Sequence, residues 1–213
     1  LLTFMRERSH LAPATISLTL SAFRSWRRFA CLRGWWFLGP EMLVQAPRWL
    51  RAKRPPLTPG QRDTLLGALR TDVEVSLVGY CYGAGCRITE TAMMRPRHWL
   101  DDRLRFCGKG PGGMSKVRDV PLHRFLVENR KTMQRPWAMS TYQRTYEGLR
   151  DRLGFHFTPH TLRRTFDTEL RDNGGRGDVV DELMGHSGET VAARHYTWIS
   201  WDLKVSTIEL LPF

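Results

Sequence analysis

Apolar positions along the 213 residues recur mostly with helical period and only briefly with strand period. In the first stretch Ile16, Leu20, Phe23 and Ala30 follow helical spacing, with Arg24, Arg27, Arg28 and Arg33 on the other faces. A second short helix is expected around residues 41–50. The run Arg51-Ala52-Lys53-Arg54-Pro55-Pro56 is basic and broken by proline, so it reads as a boundary. Beyond it, Thr58-Pro59-Gly60-Gln61 carries a capping box with proline at the first helical position, and Leu65, Leu66 and Leu69 give the buried stripe. Residues 73–83 form a mostly apolar run, read as a buried helix stopped by Gly83 and Gly85. Alternation over Arg103–Cys107 and Lys116–Pro121, with a Gly/Pro-rich turn between, predicts an antiparallel hairpin with Lys109 at its tip. Helices are expected at about 122–133 and 140–153, the latter with Tyr142, Tyr146, Leu149 and Leu153 on one side. Another should start at Thr158-Pro159, placing His160 and Arg163 one turn apart on one face, and end at Asn173-Gly174-Gly175. A last one should open at Asp178 and run to Gly185. The fold class that follows is mainly α with one small antiparallel β-sheet.

Charge divides the chain further. The net charge is +12, and residues 1–54 contribute +8 of it, with ten Lys and Arg against two Asp and Glu. Such a surplus suits a polyanion, because each neutralised phosphate releases counterions; a generally basic soluble surface is the plainer alternative. Two short helices in some fifty residues make a poor independent core, so residues 1–54 read as part of a larger basic region, set apart from a domain at 55–213. The chain opens at Leu1, which suggests that upstream sequence is missing. No apolar run approaches the ~20 residues of a membrane span, and a cytoplasmic location is expected. Cys31, Cys81, Cys86 and Cys107 show no CxxC pairing or histidine ladder, so they read as reduced, mostly buried thiols and not as a zinc site.

Four separated segments carry chemistry. Arg87 stands in Gly85-Cys86-Arg87-Ile88-Thr89-Glu90, and Lys109 in Gly108-Lys109-Gly110. His160 and Arg163 share Pro159-His160-Thr161-Leu162-Arg163-Arg164, and His186 follows Met184-Gly185, ten residues before Tyr196. Guanidinium groups suit a phosphodiester because their planar fork meets phosphate oxygens in pairs and stays protonated.

The order and context of these residues resemble the tyrosine recombinase (phage integrase) family over roughly residues 57–200. The resemblance implies the DNA breaking-rejoining catalytic fold, preceded by a partial helical core-binding segment. It implies that Arg87 and Arg163 clamp the scissile phosphate, and that Lys109 protonates the 5′ leaving oxygen. It makes His160 a general acid/base candidate and His186 a donor to a phosphate oxygen. Tyr196 becomes the nucleophile, forming a 3′-phosphotyrosine that stores the bond energy, so that neither metal nor ATP is required. Lys116 is a rival to Lys109, since the turn is longer than the family's usual one; Lys109 is preferred for its Gly-Lys-Gly setting. Glu90 is either the acidic brace of Arg87 or an ordinary surface pair.

Arg24, Arg27, Arg28, Lys116 and Arg164 are expected to touch DNA. Arg164 stands where the family often has a second histidine. His98 and His123 read as loop histidines without partners, His156 and His195 as packing or DNA-touching groups, and Tyr80, Tyr82, Tyr142 and Tyr146 as core or groove aromatics. Implied partners are double-stranded DNA with an inverted-repeat site and further copies of the chain in a tetrameric synapse. The apolar tail of about 198–213 would then dock on a neighbouring protomer, or else pack in cis. Two alternatives stand beside a site-specific recombinase: a type IB topoisomerase that relaxes DNA, and a recombinase-derived regulator that binds without cutting. The intact Arg87, Arg163 and Tyr196 weigh against the last, and the motifs around Arg163 and His186 against the first.

Overall fold

The computed structural model describes residues 11–35, 55–109, 115–186 and 199–213; the expected helix at 41–50 and Tyr196 lie outside them. The chain divides into two compact units, Leu1–Lys53 and Arg54–Phe213. In the first, α1 spans Pro13–Leu32. Its buried positions are Ile16, Leu20, Arg27 and Ala30. Arg27 falls seven residues after Leu20 and three before Ala30, so it shares their stripe. Its 1% exposure corrects the expectation that it faces phosphates, whereas Arg28 is exposed and Arg24 half-buried.

The second unit is mostly helical with a two-stranded antiparallel sheet. Helix α2 (Pro59–Gly67) has the expected capping box: Gln61 N–H donates to Thr58 Oγ1 at 3.3 Å, and Gln61 Oε1 accepts from Thr58 N–H at 3.1 Å. The apolar run is helix α3 (Asp72–Val78), which widens into a π-helical turn at Gly79–Gly83. Helix α4 is Ile88–Met93. Strands β1 (Arg103–Lys109) and β2 (Ser115–Pro121) pair with Leu104 opposite Val120, Phe106 opposite Arg118 and Lys109 opposite Ser115. Leu104, Phe106, Val120 and Arg118 form the buried face, while Val117 and Cys107 are exposed on the other.

The helix expected over 122–133 is two pieces, α5 (Arg124–Glu128) and α6 (Arg130–Met133). The break falls at Asn129, whose Nδ2 donates to the Phe125 carbonyl at 2.9 Å and so offers the backbone a local rival to the helix bond. Then come α7 (Met139–Leu153), α8 (Pro159–Asp172), α9 (Gly177–Met184) and α10 (Trp201–Ile208). Helix α8 lies along the Gly79–Gly83 turn, with Leu162, Phe166 and Leu170 fully buried in the core beside Tyr80 and Tyr82. A buried bond from Leu57 N–H to Thr165 Oγ1 (2.9 Å) pins the start of the unit to α8.

The described tail packs in cis. Ile208 and Leu211 are buried, and the Phe213 ring stacks on Phe125 (4.4 Å) and His123 (4.7 Å). The Tyr82 hydroxyl lies 2.6 Å from the Pro212 carbonyl. Within the single chain, Ile208 and Leu211 therefore have a groove on their own protomer, while Val205 stays exposed. No helix among the described residues is long and apolar enough to cross a membrane.

Candidate functional site

Helix α9 determines much of the site through how it ends. Its last four carbonyls have no partner within the helix and must find one elsewhere. Gly185 N–H donates to the Glu182 carbonyl at 2.9 Å and His186 N–H to the Asp181 carbonyl at 2.8 Å, the Schellman arrangement. Gly185 takes φ +67°, in the left-handed region that favours glycine. The remaining two carbonyls are closed by arginines from elsewhere in the chain. Arg118 NH1 donates to Leu183 O, and Arg163 NH2 to Met184 O at 2.6 Å. Cations at a helix C-terminus also meet the negative end of its dipole.

The same two guanidinium groups converge on the Gly85 turn. Arg163 NH1 donates to Gly85 O, and Arg118 NH2 lies 3.4 Å from the same oxygen. Gly85 has φ +60°, and a Cβ there would come within 2.8 Å of the Phe166 ring. Only glycine can turn that carbonyl toward the two arginines without displacing the core.

Glu90 sits between all three arginines. Its Oε1 accepts from Arg87 NH1 at 2.9 Å, and its Oε2 accepts from Arg87 N–H at 2.9 Å and Arg118 NH2 at 2.8 Å. Arg163 NH1 is 3.8 Å from Oε2. The Glu90 side chain is 7% exposed, so it is a buried brace and not a surface pair. Burial alone would raise its pKa, but Arg118, the Arg87 amide and Arg163 together hold it below the ordinary carboxylate range. Arg163 is pushed down to about 10, by burial first and then by the neighbouring Arg118 and Arg87 cations. It is still charged at neutral pH.

Exposure separates the roles open to each group. The Arg87 side chain is 49% exposed and that of His186 45%, whereas Arg163 is 2% exposed. Arg163 NH2 lies 3.5 Å from His186 Nε2, and His186 Nδ1 lies 3.5 Å from Asp181 Oδ1. Arg87 and His186 therefore form the open side of the cluster and Arg163 its floor. His160 lies at the start of α8 and is exposed, not buried with Arg163 as a shared face would suggest. Arg164 is half-buried. Lys109 ends β1, but its side chain, that of Lys116, and both His195 and Tyr196 lie outside the described residues.

Arg118 was not singled out by sequence reasoning. The signal existed: in an alternating strand it shares a face with Val120, and a charged residue on a core face is anomalous. His123 and His98, expected to lack partners, have them. His123 is buried, with Nδ1 accepting from Phe125 N–H at 3.2 Å; His98 Nδ1 accepts from Arg95 N–H at 3.0 Å. Tyr80, Tyr82 and Tyr142 are buried, and burial raises each phenol's pKa, the reverse of what a nucleophile needs. Cys81 and Cys86 are buried, Cys31 is half-buried and Cys107 exposed.

The family model of the phage integrase family matches residues 123–200. The tyrosine recombinase XerD of Lacticaseibacillus casei is 28% identical, over 89% of this chain and 73% of its own. Among solved structures, a lambda integrase (75–356) dimer bound to a COC′ core site is similar with a TM-score of 0.67 and 17% identity, covering 93% of this chain and 80% of that one. A lambda integrase tetramer bound to a Holliday junction is similar with a TM-score of 0.65 and 16% identity, covering 93% of this chain and 64% of that one. Sequence likeness and fold likeness thus run through the region that holds the arginine cluster: the chain is similar to the phage integrase family over residues 123–200, to a curated tyrosine recombinase over most of its length, and to integrases in fold.

Proposed function

We propose that the chain cleaves and rejoins duplex DNA through a 3′-phosphotyrosine formed by Tyr196. The observation that carries this reading is the convergence of Arg87 and Arg163, from distant segments, on one buried carboxylate, with His186 from a third segment beside Arg163. Arg87 and His186 meet the non-bridging oxygens of the scissile phosphate, and Arg163 lends charge from beneath. Such preorganised donors act on charge that develops in the transition state. The Tyr196 oxygen bonds to phosphorus as the bond to the 5′ oxygen breaks, and Lys109 supplies the proton to that oxygen. His160, exposed in the first turn of α8, is the acid/base group of this reading and takes the Tyr196 proton. The new ester keeps the energy of the old one, so attack by a 5′-hydroxyl reverses the step without metal or ATP.

The lambda integrase dimer on a core site and the tetramer on a Holliday junction support action on DNA by several protomers together. An inverted-repeat site follows from two-fold symmetry. Residues 1–54 supply a DNA clamp, with Arg24 and Arg28 as phosphate contacts.

The test uses the full chain and a library of nicked duplexes with randomised arms. Covalent adducts are trapped with detergent in the presence of a chelator. Wild type should yield a phosphotyrosyl adduct and Tyr196→Phe none, with DNA retention in gel shifts nearly unchanged. An adduct of normal yield from Tyr196→Phe would remove Tyr196 from its role. Relaxation of plasmid DNA without exchange between two recovered sites would point to a topoisomerase.

A further inference from the structure

Arg118 is a buried arginine whose NH1 and NH2 groups both bond to protein. Its side chain is 6% exposed, and its guanidinium reaches Leu183 O, Glu90 Oε2 and Gly85 O, with its carbon 4.7 Å above the Phe106 ring. At that exposure it is a buried group and not a surface contact for a DNA phosphate. What it touches is informative instead: the brace of Arg87, the turn that accepts from Arg163, and the helix end that presents His186. It also projects from β2, directly across the hairpin from the strand that ends at Lys109.

Gly185 supplies independent support for this packing. A Cβ at that position would lie 2.8 Å from Arg118 Cδ and 3.4 Å from its Nε. The backbone of the Met184-Gly185-His186 turn is therefore seated on the arginine's stem, so displacing Arg118 displaces the turn that aims His186.

We propose that Arg118 is a positioning residue for strand cleavage, tying the Lys109 hairpin to Glu90 and to the Leu183–Gly185 turn so that Arg87 and His186 are held in register. The inference rests on the strand-cleavage reading above. Without Arg118, Glu90 keeps its bonds to Arg87 but loses the cation that holds its other side. One α9 carbonyl also loses its donor, and an unmet buried acceptor is costly enough to let the turn shift. The groups facing Glu90 are then Arg87 from its own helix, Arg163 from α8, and the buried thiols of Cys81 and Cys86. With one cation fewer against the same burial, its carboxyl titrates at a higher pH. Cleavage should then fall off earlier on acidification than in wild type.

The experiment measures single-turnover adduct formation by the full chain on a nicked duplex recovered from the library, for wild type, Arg118→Met and Arg118→Lys. Far-ultraviolet circular dichroism and thermal unfolding are run on the same samples. Arg118→Met should cleave at least 100-fold more slowly with its DNA dissociation constant within about threefold of wild type. The acid limb of its rate profile should move to higher pH. Arg118→Lys, which keeps the charge and part of the bonding, should recover a tenfold share of the rate and return the acid limb toward wild type. If Arg118→Met does not fold, the Lys variant alone decides, through its acid limb and rate. Cleavage at the wild-type rate in either variant overturns the proposal. So does a loss that follows DNA affinity or melting temperature alone with an unmoved acid limb, because that is a merely structural role. No adduct from wild type would instead defeat the strand-cleavage reading itself.

Discussion

The C-terminal segment offers a measurable consequence of cis packing. Ending the chain at Glu209 removes Leu210–Phe213. Leu211 is 2% exposed and Phe213 41% exposed. Full burial of a leucine is worth about 1.5–3 kcal/mol, and a phenylalanine a little over half buried about half that. The two ring stacks of Phe213, on Phe125 and His123, add about 0.5–1.5 kcal/mol. One hydrogen-bond acceptor leaves as well: Leu210 O, which accepts from Asn173 Nδ2 at 2.9 Å and is worth about 1 kcal/mol net. Pro212 O competes with Glu169 Oε2 for the one Tyr82 proton and adds little. The total comes to about 5 kcal/mol, which for a domain of this size lowers the melting temperature by roughly 10–20 °C. Differential scanning calorimetry of the DNA-free monomer, truncated against intact, is the assay. A shift smaller than about 3 °C would mean that the tail does not stabilise its own protomer, and the cis reasoning would fail.

Other perturbations bear on the site and the basic segment. Gly185→Ala forces a left-handed φ on alanine, at about 1–2 kcal/mol, and drives a Cβ into Arg118; adduct formation should fall at least tenfold while duplex binding holds, and an unchanged rate would show the turn to be tolerant. On a substrate with sulfur in place of the 5′-bridging oxygen, whose departure needs little protonation, Lys109→Ala should regain speed while Lys116→Ala shows little defect on either substrate. Rescue of Lys116→Ala would exchange the two assignments. Deleting residues 1–54, which hold +8 of the +12 charge, should weaken DNA binding and flatten the dependence of log K on log salt; an unaltered slope would place those arginines in solvent.

Local patterns were readable in the sequence because their physics is local. The Thr58 capping box, the αL glycine at Gly185 and the i,i+3 spacing of Arg87 and Glu90 each need only a few neighbouring residues. Features that depend on what a residue packs against were harder. The charge of Arg27 groups it with the DNA-touching arginines, although its spacing from Leu20 and Ala30 places it on the buried stripe. Arg118 was hidden for the same reason: its face follows from alternation with Val120, but its purpose needs Glu90, Gly85 and Leu183, which are 28 to 65 positions away. The break at Asn129 depended on one side-chain bond that competes with the helix. The cis seat of Phe213 depended on a groove built from Tyr82, His123 and Phe125, three residues with no sequence relation to the tail.

The charge balance of the cluster connects this architecture to the proposed chemistry. Three guanidinium groups share one carboxylate, and Arg118 and Arg163 also donate to neutral carbonyls. Carbonyl dipoles make the surplus tolerable without cancelling it: the Arg163 pKa is lowered by burial first and then by the Arg118 and Arg87 cations. A phosphodiester brings one negative charge to such a site. Attack by a tyrosinate gives a five-coordinate phosphorus carrying two. The surplus is thus half met by the ground state and fully met by the transition state, and only interactions that strengthen between the two accelerate the step. A second carboxylate beside Arg87 would have stabilised the empty site and removed that difference. Among the described residues, Glu90 is the acid that pairs with Arg87, and it faces inward, leaving the exposed edge of the guanidinium directed at solvent where DNA would arrive.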